Sequence, residues 1–283
     1  MPELPEVEVL VRHLAPRLKG KTIGAVKVLR PRVIAPTSAR EFSHALRGAR
    51  FTGVTRRGKY LLFALRTSRG RPPFTLLGHL GMTGRMYLRR AGDPLPKHAA
   101  VVLALGRVNF IYEDTRYFGR LTLDCGGLAA LGPEPLWAQF TPAGFARALQ
   151  KSAQAIKVKL LDQSLVAGIG NIYASEALFR AGISPRRAAR RLKPKEIHRL
   201  WRAIRVVLRE AIACGSTLPL DWDGAAGRDG LFYYGRATDA PDFYEERLRV
   251  YDRCGRPCSR CTTPIRRLVQ AARSTFYCPK CQR

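Results

Sequence analysis

Met1-Pro2-Glu3-Leu4-Pro5-Glu6 opens the chain, and Val7, Leu10, Val11, Leu14 and Leu18 follow at three- and four-residue spacing. That period predicts an amphipathic helix over 6–18 that buries one face and holds the first residues in a fixed place. Met1 precedes a small residue, so its removal is expected, which would leave Pro2 as a free secondary amine. An α-amino group titrates at about pH 8, so part of it is unprotonated at neutral pH and able to attack an aldehyde-level carbon, giving an iminium. Glu3 stands beside it as an acid/base group, and Glu6 lies one helical turn further on. Helix initiation explains the same residues, since proline at the first helical position and acids in the first turn are ordinary start signals.

After Gly20 the pattern changes to short apolar runs at 22–29, 60–65, 74–77, 85–88, 99–105, 108–112 and 119–123, punctuated by Gly, Pro and Asn. Such runs predict an antiparallel sandwich or barrel. A Gly/Pro-rich connector at 126–135 marks a domain boundary. Beyond it the period is helical, over 144–151, 156–161, Asn171–Ala181 and 194–215. The last of these carries Ile197, Leu200, Trp201, Ile204, Val207, Leu208, Ala211 and Ile212 on one stripe. Its opposite face, with Arg199, Arg202, Arg205 and Arg209, reads as a solvated surface. Residues 217–246 show no regular period, as expected of a long loop. The domains predicted are therefore 1–125, 130–224 and 249–283.

Lysine and arginine number 50 against 21 aspartates and glutamates, a net charge of +29 in 283 residues. A balance this basic points to a polyanionic partner, nucleic acid first. No run approaches the ~20 apolar residues of a membrane span, and no basic-then-apolar leader is present. These features predict a protein in the cytoplasm of a bacterium-like cell, associated with its nucleoid; a monomer is expected. Thiols stay reduced there, so the seven cysteines read as metal ligands or bystanders.

The sharpest spacing is Cys258-x2-Cys261, sixteen residues, then Cys278-x2-Cys281. Paired knuckles of this kind predict one structural zinc in a closed tetrahedral site. Arg266, Arg267, Arg273, Phe276 and Tyr277 between them predict a β-hairpin whose tip the metal would hold rigid. Cys254 is a fifth candidate ligand of poorer spacing, and Cys125 and Cys214 read as buried small apolar residues. Gly168-Ile169-Gly170-Asn171 runs into a helix and would expose N–H groups as a phosphate cradle, or simply make a tight turn between helices. Arg56-Arg57-Gly58-Lys59-Tyr60 sets Lys59 at a strand start, as a phosphate ligand or a solvated strand end. His79-Leu80-Gly81-Met82-Thr83-Gly84 and Asp114-Thr115-Arg116-Tyr117-Phe118-Gly119 are turns between strands. Met82, Arg116 and Phe118 have the properties of wedges that fill the space of an extruded base; core packing is the other reading of Met82 and Phe118.

Taken jointly, MPELPEVE, RRGKYL, HLGMTG, LGPEPL, LLDQSLVAGIGNIYASEALF and ARSTFYCPKCQ occur in an order that resembles the formamidopyrimidine-DNA glycosylase family over nearly the whole chain. The related endonuclease VIII family is less similar in its N-terminal and void-filling segments. The resemblance implies an α+β multidomain fold: an N-terminal antiparallel β-sandwich, a helix–two-turns–helix middle domain and a C-terminal zinc-finger β-hairpin, with DNA in the cleft between. It implies a bifunctional glycosylase and abasic-site lyase acting on double-stranded DNA with oxidised purines or abasic sites. Pro2 would be the nucleophile at C1′, Glu3 the acid/base of base release, Lys59 a group at the phosphate and in β-elimination, and Arg273 a phosphate ligand assisting δ-elimination. Asn171, His79, His98 and Lys151 would contact DNA, and Met82, Arg116 and Phe118 would fill the void. Glu6 and Glu176 would be supporting acids, and Cys258, Cys261, Cys278 and Cys281 the zinc ligands.

Three segments depart from the family pattern. Thr115 stands where the wedge turn commonly has proline and Tyr117 where it has a cation. Lys151-Ser152 interrupts a run that is often basic, and 220–246, where a lesion-capping loop would lie, is unfamiliar. An oxidised-pyrimidine glycosylase with the same chemistry and a non-catalytic DNA-binding protein are the rival readings. The second would be expected to have lost Pro2, Glu3 or Lys59, and all three are present.

Overall fold

The first helix, α1 (Leu4–Leu18), begins two residues before the spacing predicts, because Pro5 falls in the first turn, where no intrahelical N–H bond is lost. The computed structural model describes residues 2–67, 72–214 and 247–283. Two units divide them: Pro2 with residues 6–129, and residues 3–5 with 130–214 and 247–283.

In the first unit Val7, Leu10, Val11, Leu14 and Leu18 of α1 are buried against two four-stranded sheets. The strands are β1 (Ala25–Val28), β2 (Ala49–Arg57), β3 (Tyr60–Thr67), β4 (Phe74–His79), β5 (Gly84–Arg90), β6 (Ala99–Ala104), β7 (Val108–Asp114) and β8 (Arg120–Thr122). One sheet has the order β2-β3-β4-β8 and the other β1-β6-β7-β5, with antiparallel pairing throughout. Phe63 of β3 meets Phe51 of β2 edge-on with centroids 6.1 Å apart, and Phe110 of β7 in the other sheet at 5.4 Å. These rings close the sandwich.

Two elements are absent from the spacing-based expectation. Helix α2 (Ala39–Leu46) is short, and its start is set by a capping box: Ser38 Oγ accepts from Glu41 N at 3.2 Å and Glu41 Oε2 from Ser38 N at 3.1 Å. Strand β2 carries polar residues on its outer face and an irregularity between Phe51 and Gly53, which hide its period. The strand expected over 22–29 shortens to β1, with Thr22 making a separate bridge to Arg50.

In the second unit the helices are α3 (Pro142–Gln150), α4 (Ile156–Leu160), α5 (Asn171–Ala181) and α6 (Pro194–Ala213). Thr141 caps α3, and Gly182, at φ 68°, ends α5 in the left-handed region that favours glycine. The apolar stripe of α6 is buried. Its arginine face is not wholly solvated: Arg205 donates to the carbonyls of Pro135 (2.7 Å) and Trp137 (3.1 Å), and Arg199 to that of Ala181 (3.3 Å). Strands β9 (Arg266–Gln270) and β10 (Arg273–Tyr277) form the C-terminal hairpin, turning at Ala271 and Ala272 with φ 48° and 57°. Phe179 of α5 packs with Val250, Ile265, Phe276, Cys258 and Cys278 beneath it. Among the described residues no helix is long and apolar enough to cross a membrane.

Because Phe63 bridges both sheets, Phe63→Ala is expected to destabilise the first unit by about 3–5 kcal/mol. Thermal denaturation reads this as a lower midpoint, and an unchanged midpoint would remove Phe63 from the core.

Candidate functional site

The start of α5 is an anion site. Glu3, buried, accepts from three backbone N–H groups: Gly170 (2.6 Å) and Tyr173 (3.4 Å) on Oε2, and Ile172 (2.8 Å) on Oε1. Leu4 N donates to the Gly168 carbonyl at 3.0 Å, which seats the N-terminal segment along the same turn. The glycines make room for it. A Cβ on Gly168 would lie 2.7 Å from Leu4 Cβ, and one on Gly170 would lie 2.8 Å from Glu3 Cγ. The N–H cradle read from Gly-Ile-Gly-Asn is therefore present, but the anion it holds is the chain's own third residue. A helix N-terminus favours a carboxylate for the same reason it favours a phosphate.

Around this carboxylate the second unit gathers further polar groups. Asn171 Oδ1 accepts from Lys157 Nζ at 2.5 Å, and its Nδ2 donates to the Ser274 carbonyl of β10 at 2.8 Å. Lys157 is buried, and burial brings its ammonium down to about 8, with Glu3 pulling the other way and Arg273 adding to the fall. Tyr251 shares a hydrogen bond with the Asn171 side chain and senses both Glu3 and Arg273; burial pushes its phenol up. Arg273, exposed, opens β10 beside the hairpin tip. Glu176, one face further along α5, accepts from the N–H groups of Arg249 (2.9 Å), Val250 (2.9 Å) and Tyr251 (2.8 Å), and burial raises its carboxyl. Lys157 and Tyr251 are not singled out by the spacing rules. A lysine on the apolar face of a short helix is the one local signal for the first, and none marks the second.

In the first unit Lys59 sits in the two-residue β2–β3 turn after Gly58 (φ 56°) and is buried rather than solvated. Arg56 braces that turn, donating to Glu8 Oε2 and to the Gly58 carbonyl, each at 3.0 Å. His79, at the end of β4, lies against the Tyr60 ring with centroids 4.8 Å apart. Burial, with the cations of Lys59 and Arg120 nearby, holds its imidazole at about 4. Nδ1 accepts from Gly81 N at 3.1 Å, so the neutral ring carries its proton on Nε2.

The two turns 79–84 and 114–119 form one body. Asp114, fully buried, accepts from Thr83 Oγ1 (2.5 Å), Arg116 N (3.1 Å), Gly119 N (2.8 Å) and Tyr112 Oη (3.3 Å). A Cβ at Gly81 would stand 2.7 Å from the Phe118 carbonyl carbon, so only glycine lets the turns meet. Met82 and Phe118 are 42% and 54% exposed, which rules out the core reading for both. Arg116 reaches Met82 Sδ at 3.8 Å. His98 is half-buried, and its carbonyl accepts from Asp114 N at 3.1 Å.

The four knuckle cysteines bring their sulfurs within 4.8 Å of one another. Cys258 and Cys281 are 3.9 Å apart and Cys261 and Cys278 3.5 Å. Thiolates around one tetrahedral zinc at about 2.3 Å lie about 3.8 Å apart, so the set fits the metal. Cys254 is exposed and outside it. Cys125 and Cys214 are half-buried rather than buried, and Cys214 Sγ accepts from Arg247 at 2.8 Å. Glu6 is buried in α1. Lys151, exposed at the end of α3, lines a basic hollow with Arg147 and Lys159. Residues 220–246 lie outside the described residues.

Family models match nearly the whole chain: the formamidopyrimidine-DNA glycosylase N-terminal domain at residues 1–121, its H2TH domain at 131–219, and the zinc finger found in FPG and IleRS at 255–283. The formamidopyrimidine-DNA glycosylase of Desulfitobacterium hafniense is 42% identical over 289 residues, covering 100% of both chains. That of Chloroflexus aggregans is 45% identical over 291 residues, covering 100% of this chain and 98% of the other. Among solved structures, a complex of Lactococcus lactis Fpg with abasic-site DNA aligns at a TM-score of 0.85 and 33% identity over 99% of each chain. A complex of a mutant of that protein with Fapy-dG DNA aligns at 0.86 over 100% of each, again at 33% identity. With its four zinc-binding cysteines and the architecture described above, the chain belongs to the formamidopyrimidine-DNA glycosylase family.

Proposed function

We propose that the chain excises oxidised purines, such as 8-oxoguanine and formamidopyrimidines, from duplex DNA and then cleaves the abasic strand. The observation that carries this reading is the fixing of Glu3 by three backbone donors, which delivers Pro2 next to a carboxylate that cannot swing away. With Met1 removed, the Pro2 nitrogen attacks C1′ of the extruded nucleotide and the bond from C1′ to the base breaks. Positive charge develops at the sugar, where a preorganised carboxylate stabilises it. Glu3 shuttles the protons of amine attack and base departure. The C1′–O4′ bond then breaks, with O4′ taking a proton, and leaves an open-chain iminium that acidifies C2′; loss of that proton expels the 3′ phosphate, and a second elimination expels the 5′ phosphate.

Lys59 acts at the phosphate and in the first elimination, and Arg273 holds phosphates and assists the second. Lys157 and Tyr251 position Asn171, whose amide reaches for the backbone. His79 contributes as a neutral N–H donor, and His98 and Lys151 add backbone contacts. Met82, Arg116 and Phe118 fill the space left by the extruded base. Zinc held by Cys258, Cys261, Cys278 and Cys281 would brace the hairpin that carries Arg273 and take no part in the chemistry. Residues 1–125, 130–224 and 249–283 serve as catalytic, DNA-binding and zinc-finger domains, and the charge of +29 supports work at the nucleoid.

Borohydride reduction with a duplex carrying 8-oxoguanine opposite cytosine is expected to trap the protein on DNA through Pro2, and mass spectrometry of the N-terminal peptide locates the adduct. Retained Met1 abolishes it, because the proline nitrogen is then an amide; an adduct elsewhere, or a preference for thymine glycol, overturns the assignment. Glu3→Gln is expected to slow base excision by at least about 100-fold, the low end of acid–base contributions, with a smaller loss on a preformed abasic site. Equal losses would make Glu3 purely structural.

Chelation of zinc is expected to abolish DNA binding in an electrophoretic shift assay, with restoration on adding zinc back. His79 supplies a pH test. Its folded pKa of about 4 lies below the unfolded value of about 6.5, so the unfolded chain binds the proton first on acidification. Stability is then lost as pH falls from 6.5 toward 4, by up to about 3 kcal/mol from this group. NMR titration of the ring checks the midpoint.

A further inference from the structure

The turn that carries Arg116 and Phe118 holds a residue facing the other way. Tyr117 lies between two exposed side chains, yet its ring packs against the sandwich core. Its backbone is in the left-handed region, at φ 53°, where a bulky residue is held only by its surroundings. The restraint comes from Arg30. Arg30 Nε donates to Tyr117 Oη at 3.1 Å, and the guanidinium carbon lies 5.4 Å from the ring centroid. Arg30 is itself anchored: its backbone N donates to the Ala100 carbonyl at 3.1 Å and its Nη1 to the Leu29 carbonyl at 3.0 Å. The same loop receives Arg120, whose Nη1 donates to the Arg32 carbonyl at 3.2 Å. Asp114 fixes the turn from its polar side, through Arg116 N and Gly119 N. Asp114 and Arg30 therefore grip the turn at both ends of its one inward residue.

We propose that Arg30 and Tyr117 are a positioning pair that pre-orders the wedge turn, so that Arg116 and Phe118 stand ready when a base leaves the stack. The proposal rests on the reading that these residues fill the void. A turn ordered in advance matters most where a paired base must be extruded, and least where no base pair remains to be broken. The pair thus governs how well a paired lesion is processed relative to an abasic site.

The test compares Arg30→Ala, Tyr117→Phe and the double variant on an 8-oxoguanine:cytosine duplex and on a duplex with a preformed abasic site. Each single variant is expected to lose about tenfold in kcat/KM on the paired lesion, the scale of one hydrogen bond to a charged group, and no more than about twofold on the abasic site. The double variant should be no worse than either single, because the two act as one unit. Arg30→Gln, which keeps a donor for the tyrosine hydroxyl, should recover part of the loss. A 2-aminopurine opposite the lesion should show slower unstacking in the single variants. Losses that multiply in the double variant, or equal losses on both substrates with a lowered thermal midpoint, would overturn the proposal. So would a shallower salt dependence for Arg30→Ala and Arg30→Gln alike, since that would make Arg30 a direct phosphate ligand. A wild-type protein without activity on 8-oxoguanine would instead sink the functional reading, before any variant is compared.

Discussion

Everything at the N-terminal end depends on one interaction, the carboxylate of Glu3 seated on the first turn of α5. Four N–H groups at a helix start have no partner within the helix, and here three donors go to a residue more than 160 positions away in sequence. The arrangement satisfies a buried charge and a helix terminus at once. It also explains why both glycines of the Gly-Ile-Gly turn are needed: any side chain there would collide with the segment the turn exists to hold. The proposed chemistry at Pro2 needs a fixed neighbour, and Glu3, next to it in the chain, is fixed by these bonds.

The same device recurs. Glu176 is satisfied by three backbone donors, and Asp114 by two backbone donors and two hydroxyls. In each case a buried carboxylate organises irregular backbone through N–H groups. The chain has 50 basic and 21 acidic residues. With more than twice as many basic as acidic residues, most arginines and lysines have no acid to neutralise and face a polyanion, whose phosphates release counterions on binding.

Much of this was legible in the sequence where a local rule had one solution. The ends of α5 follow from Gly170 and Gly182, the face of α1 from its five apolar residues, and the zinc set from two knuckles. Helix α2 was hidden by its length, although Ser38 and Glu41 mark its start. What could not be read were meanings created by tertiary neighbours. Gly-Ile-Gly-Asn announces an anion site but not which anion. Met82 and Phe118 look like core residues until their exposure is known. Lys157 and Tyr251 acquire a role only through Asn171, which stands far from either along the chain.

The two alanines at the tip of the C-terminal hairpin occupy a backbone region that Asn-Gly would enter with less strain. Each carries roughly 1–2 kcal/mol of strain there, and a two-residue connection leaves the strands no slack to relieve it. The base of the hairpin is held by the cysteine cluster and by the packing of Phe276, while its tip carries this strain. Arg273 follows Ala272 directly, so its backbone leaves from the strained turn. A strained turn persists only where its surroundings over-determine it, so the place of that guanidinium depends on the packed base of the hairpin.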